Sequence, residues 1–160
     1  MSINVNNINT VEISSFSQFK TLLSEFNNKA QNNALFTSIV WLETWFDCFW
    51  QNNWQLHSYA FYKNEELIAL APFYLNKKNT FPFIKTLHLI GQGEPELAGV
   101  ASEYLDVLIK PGHEQIIYSQ LVTLISKSTF DIVAARAVFS DSYIAHIILK
   151  LSGKHSTRNF

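Results

Sequence analysis

Apolar residues along this chain follow two periodicities, and the switches between them outline the elements. Phe16, Phe19, Leu22, Leu23 and Phe26 recur every three or four positions, which on an α-helix lines them along one face. Ser15 and Gln18 have the Ser-x-x-Gln spacing with which a helix start satisfies its own first N–H groups. The spacing predicts a helix over 16–27, preceded by a short strand at 11–13 and closed by Asn27, Asn28, Asn32 and Asn33, which favour turns. Ser38 is placed to cap a second helix running to about residue 51. Its face of Trp41, Leu42, Trp45, Phe46, Phe49 and Trp50 is too apolar to remain in water.

From residue 55 the pattern changes to strands. Residues 55–62, a polar turn at 63–66 and the apolar run 67–75 read as an antiparallel hairpin. A polar loop at 76–80 exits through Pro82 into a strand at 84–90, and Gly91, Gly93, Pro95 and Gly99 then punctuate a long irregular loop. Residues 104–109 form the next expected strand. Pro111 and Gly112 open a helix carrying Ile116, Ile117, Leu121, Leu124 and Ile125, and 130–138 returns as a strand. That order permits a right-handed parallel crossover. Ser140 or Asp141 caps a last helix through Ile144, Ile147, Ile148 and Leu151, and residues 1–10 and 153–160 read as flexible tails. The expectation is one α+β domain over residues 1–160, without repeats or an internal linker.

Composition narrows the function. A chain of 160 residues with 48% hydrophobic and 16% charged content can bury a sizeable core. Twelve basic residues against thirteen acidic ones leave a net charge of -1, and just two of the basic residues, Arg136 and Arg158, are arginines. There is no basic stripe for nucleic acid and no polybasic anchor for a membrane surface. The single cysteine, Cys48, rules out an intrachain disulfide and a cysteine-rich zinc site. With a polar, asparagine-rich start and no apolar run long enough to span a bilayer, the expectation is a cytoplasmic chain.

Five phrases occur in order: FTSIVWLETWFDCFW (36–50), LIALAPFYL (67–75), TLHLIGQG (86–93), SEYLDVLIKPGHEQ (102–115) and FDIVAARAV (130–138). Together they resemble the N-terminal half of the CelD-like acetyltransferases, a branch of the GNAT superfamily with two GNAT-like units in tandem. The resemblance implies a mixed, twisted sheet with helices on both faces, here incomplete at its C-terminal end. It also implies acetyl-CoA or another acyl-CoA as cofactor, bound mainly by the second unit. A pyrophosphate site in that superfamily needs glycines between strand and helix, so that backbone N–H groups can approach phosphate. The turn Phe139-Ser140-Asp141-Ser142 has none, and Asp141 would oppose phosphate. Two expectations follow: the acceptor-side half of an acyltransferase, completed by a second GNAT-like unit and acting on a small-molecule acceptor, or a non-catalytic module that dimerises or pairs with another chain.

Within that frame Glu103, Tyr104 and Asp106 are the candidate catalytic residues. Either carboxylate is a general base for an acceptor amine and the phenol a general acid, with structural hydrogen bonding as the alternative for Tyr104 and Asp106. Trp41 and Trp45 are candidates to line an acceptor pocket, together with Trp50, although aromatics at helical spacing equally describe a core. Arg136 either holds a substrate carboxylate or pairs with Asp106 on a neighbouring strand. Gly91-Gln92-Gly93 reads as a structural turn, because Glu94, Pro95 and Glu96 follow where phosphate would sit. His88 reads as a core histidine, Cys48 as an inert core or boundary residue, and no histidine has metal-ligand spacing.

Overall fold

A computed structural model describes residues 8–30, 35–77, 83–95, 99–100 and 102–152. Strand β1 (Ile8–Ile13) leads into α1 (Phe16–Ala30), a 3-10 turn at Leu35–Thr37 and α2 (Ile39–Phe49). Both helices begin where their caps predict. Gln18 N–H donates to Ser15 Oγ at 3.2 Å and Trp41 N–H to Ser38 Oγ at 3.3 Å. β1 starts earlier than expected, taking in residues 8–10 that the sequence assigned to a tail, because Ile8 to Ile13 pair along a full partner strand.

The expected hairpin is present, but each arm is broken once: β2 (Trp54–Leu56) and β3 (Ser58–Lys63) on one side, β4 (Glu66–Ala71) and β5 (Phe73–Lys77) on the other. Pro72 has no N–H to donate to a ladder, so the arm breaks there. Each half then joins a different sheet, in the orders β1-β3-β4-β7 and β2-β5-β6-β8, where β6 is Lys85–Leu89, β7 Leu108–Ile109 and β8 Ile132–Ala134. The first sheet is antiparallel throughout, and the second is mixed, with β8 parallel to β6. The α+β class holds, with the sheet divided in two. The crossover from β7 to β8 runs through α3 (Glu114–Lys127), and α4 (Tyr143–Ser152) follows β8.

The core explains the long apolar runs. All of β4 after Glu66 is buried, as a strand covered on both faces must be. Phe19, Leu23 and Phe26 of α1, Leu42 and Trp45 of α2, Ile117, Leu121 and Ile125 of α3, and Ile144 and Ile147 of α4 complete the interior. Each such side chain contributes about 1.5–3 kcal/mol. β6 pairs with β5 and β7 with β4, so the chain leaves one sheet at residue 89 and rejoins the other at 108. The intervening excursion carries Glu103, Tyr104 and Asp106.

Two expected strands shrink. The 104–109 strand is reduced to Leu108–Ile109 and the 130–138 strand to Ile132–Ala134. Tyr104 and Ala137 have φ of 59° and 48°, a left-handed backbone that no strand accommodates. Residues 78–80 of the expected polar loop, Pro82, and the expected tail 153–160 lie outside the described residues.

Candidate functional site

The excursion after β6 is fixed against three elements, β5, β8 and α2. Gln92 is buried (4% exposed) and its amide clips onto the end of β8: Nε2 donates to Ala134 O at 2.9 Å, and Arg136 N–H donates to Oε1 at 2.8 Å. The Gln92 backbone carbonyl accepts from the Tyr74 hydroxyl at 2.7 Å. Gly93 follows with φ 91°, and a Cβ there would collide with the Tyr74 hydroxyl and stand 2.9 Å from His88 Nδ1. The Gly-Gln-Gly segment is thus a structural turn whose glycines allow close approach. Glu94 then accepts from Trp45 Nε1 at 3.2 Å and from Val100 N–H at 2.9 Å, while Trp41 Nε1 donates to Ser102 Oγ at 3.0 Å.

His88 stacks on Tyr74, with ring centres 5.3 Å apart, and is 9% exposed. Burial, assisted by the charge of Arg136, lowers its pKa to about 4, so the ring is neutral at pH 7. Burial, then the Glu94 carboxylate, pushes the Tyr74 phenol well above its usual range, with Arg136 opposing. Both are fixed core groups, not proton carriers at neutral pH.

The structure sorts the sequence-derived candidates. Trp45 is 2% exposed and stacks on Trp54 with centres 5.7 Å apart, so it is core and cannot line an open pocket. Asp106 is not a base poised for substrate. Its Oδ2 accepts from Tyr143 N–H at 2.9 Å and its Oδ1 from Ile144 and Val107 N–H, each at 2.8 Å, capping α4 from a distant part of the chain. Burial raises its pKa, and the three N–H donors pull it back. Nor does it pair with Arg136: β7 belongs to one sheet and β8 to the other, and Arg136 is exposed. Cys48 is exposed, not a core residue.

Glu103, Tyr104 and Arg136 are all exposed, on two segments that meet through one backbone hydrogen bond. Tyr104 N–H donates to Ala137 O at 2.8 Å, which joins the loop carrying Glu103 to the turn carrying Arg136. The Tyr104 ring stacks on Phe139, centres 4.2 Å apart and planes 12° from parallel. Trp41, half-buried, borders the same loop through Ser102. No cluster of metal-binding side chains occurs among the described residues, and no helix there is long and apolar enough to cross a membrane.

An open groove of about 540 Å³, which the sequence did not reveal, runs between α3 and α4, lined by Glu114, Gln115, Tyr118, Tyr143, His146, Leu149 and Lys150. Its position beside two helix N-termini invites a test for the pyrophosphate of an acyl-CoA, which needs free N–H groups there. The residues present do not fit that group. At α3 the carboxylate of Glu114 accepts from Gly112 N–H at 3.0 Å, and its own N–H, then this bond, lowers its pKa. At α4 the Asp106 carboxylate holds the first two N–H groups. Both positions where phosphate would sit carry a negative charge of the chain itself.

No protein-family model matches the chain, and no curated protein matches it. Among solved structures it is similar to an aminoglycoside acetyltransferase from an uncultured soil metagenomic sample, at 12% identity and a TM-score of 0.46, over 96% of this chain and 93% of that one. A Trypanosoma brucei acetyltransferase is similar at 12% identity and a TM-score of 0.45, over 96% and 94%. A second soil metagenomic aminoglycoside acetyltransferase, in complex with sisomicin, is similar at 11% identity and a TM-score of 0.46, over 98% and 93%.

Proposed function

We propose that the chain is the acceptor-side unit of an acyl-CoA-dependent N-acyltransferase of GNAT type, and that it holds no acyl-CoA of its own. The observation that carries this is the pair of carboxylates at the helix N-termini beside the α3–α4 groove: Asp106 takes the first two N–H groups of α4, and Glu114 stands at the first position of α3, bonded to Gly112 N–H. The five ordered sequence phrases support the family, and the acyl donor belongs on a second GNAT-like unit. Trp41, Glu103, Tyr104 and Arg136 hold the small-molecule acceptor. Glu103 makes no hydrogen bond among the described residues, so its carboxylate is available to take a proton from an acceptor amine.

Calorimetric titration of the purified chain with acetyl-CoA tests this. No binding is expected. Micromolar binding by the folded chain would overturn the proposal.

A second reading, a non-catalytic module that pairs its sheet with a partner or itself, is favoured by one observation. β8 ends its sheet among the described residues, and its Ile132 is 46% exposed.

A further inference from the structure

His57 stands between the last residue of β2, Leu56, and the first of β3, Ser58, at the joint where one arm of the hairpin passes from one sheet to the other. Its side chain is 16% exposed and its ring reaches three elements. Nε2 lies 3.2 Å from Ser128 Oγ, at the end of α3, and 3.0 Å from the Tyr59 hydroxyl of β3, while Nδ1 lies 3.8 Å from Glu12 Oε1 of β1. Among the described residues the titratable groups facing the ring are therefore Glu12 and Tyr59, and α3 brings the uncharged Ser128. One further contact decides where the neutral ring carries its proton. Ser128 Oγ is 2.9 Å from Leu124 O, and a carbonyl only accepts, so the single hydroxyl proton is spent there. Oγ is then an acceptor toward His57, and Nε2 must hold the hydrogen. The Tyr59 hydroxyl, 3.4 Å from Nδ1, is nearer to the same Nε2. Nδ1 is left with a bare lone pair facing a carboxylate, beyond hydrogen-bond distance. Glu12, His57 and Ser128 stand in the order of a hydrolytic triad, but with the hydroxyl proton given to Leu124 there is none for Nε2 to take.

We propose that His57 is an acid-responsive clasp: its neutral Nε2–H form ties the end of α3 to β3, and a proton added at Nδ1 lets the ring donate to Glu12 and take hold of β1 as well. No existing bond is given up when the proton arrives, because Nε2 keeps its hydrogen. The new bond joins two opposite charges and is correspondingly stronger than a neutral one. Burial lowers the His57 pKa from 6.5, with the Glu12 carboxylate acting in the opposite direction, so the clasp changes state below that value. A histidine whose pKa is lower in the folded chain than in the unfolded one adds stability that is complete above about pH 6.5 and is lost as the pH falls through the folded value. The acid form is thus reached at a cost in stability, which Glu12 reduces. None of these residues belongs to the proposed acceptor site, and the clasp does not depend on the acyl-transfer reading.

Heteronuclear NMR of the imidazole nitrogens in the full chain tests the proposal, with thermal melts to confirm that each variant folds. At neutral pH His57 is expected as the Nε2–H tautomer. As the pH falls, Nδ1 is expected to gain a proton together with a through-space contact to the Glu12 side chain. Glu12→Gln is expected to leave the neutral tautomer as it is and to move the His57 midpoint to lower pH, a shift that a purely structural ring would not show. Ser128→Ala, which removes the acceptor at Nε2, is expected to shift the neutral ring toward Nδ1–H. An Nδ1–H tautomer in the wild-type chain at neutral pH overturns the proposal. So does a midpoint that Glu12→Gln leaves in place or raises, or a neutral ring that Ser128→Ala leaves unchanged. Acetyl-CoA calorimetry reads none of these outcomes, so the two proposals fail separately.

Discussion

Packed between the Tyr74 ring and the backbone of Gly93, the His88 imidazole takes a proton only near pH 4, against 6.5 for a free histidine. In the unfolded chain it protonates at the higher value. Its contribution to stability is therefore complete above about pH 6.5 and is lost as the pH falls toward 4, by roughly 3 kcal/mol. Asp106, whose pKa is raised, has the opposite sign and partly offsets this. Urea unfolding at pH 7.5 and pH 4.5 should show the loss in the wild-type chain and a smaller one in His88→Phe. Equal losses in both would place the acid sensitivity elsewhere. The same packing explains Gly93: its positive φ and the nearness of the Tyr74 hydroxyl leave no room for a side chain.

Among the elements, α4 depends on a residue far from it in sequence. Asp106 supplies acceptors for its first two N–H groups, and Ser142 Oγ takes Ala145 N–H at 3.2 Å. Asp106→Ala should cost about 2 kcal/mol and fray α4 first, measured as a fall in melting temperature with faster amide exchange confined to the helix. Unchanged exchange there would show that the cap is dispensable. This also marks where sequence reading stops. α1 and α2 were legible because Ser15 and Ser38 cap them locally and their apolar faces repeat at helical spacing. The α4 cap was not, because no local pattern connects Asp106 with Tyr143. Residues 104–109 and 130–138 read as strands because they are apolar enough, while the left-handed turns at Tyr104 and Ala137 are made by residues that carry no turn signal. The meeting of the segments that carry Glu103, Tyr104 and Arg136 was likewise illegible: it comes from one backbone hydrogen bond between distant loops. Gln92, which clips the excursion to β8, looked like the middle of an ordinary glycine turn.

At the scale of the whole molecule, division into two sheets was hidden, although its cause, Pro72, stood in plain view within an apolar run. The hairpin keeps one register through the break, from Tyr59↔Ala71 in one sheet to Leu56↔Tyr74 in the other. His57 N–H still donates to Phe73 O at 3.0 Å, and Ile90 N–H to Pro72 O at 2.7 Å, so the break bends the ladder without opening it. A single pair of arms is therefore structural to both sheets. Neither sheet can be lost without tearing strands out of the other, which leaves no boundary for partial unfolding. Native-state hydrogen exchange should give Leu70 and Leu75 the same opening free energy, equal to that of global unfolding, and a gap of more than about 1 kcal/mol would mean that the halves open separately. A protease acting on the native chain would find loops to cut, but no half-molecule to release.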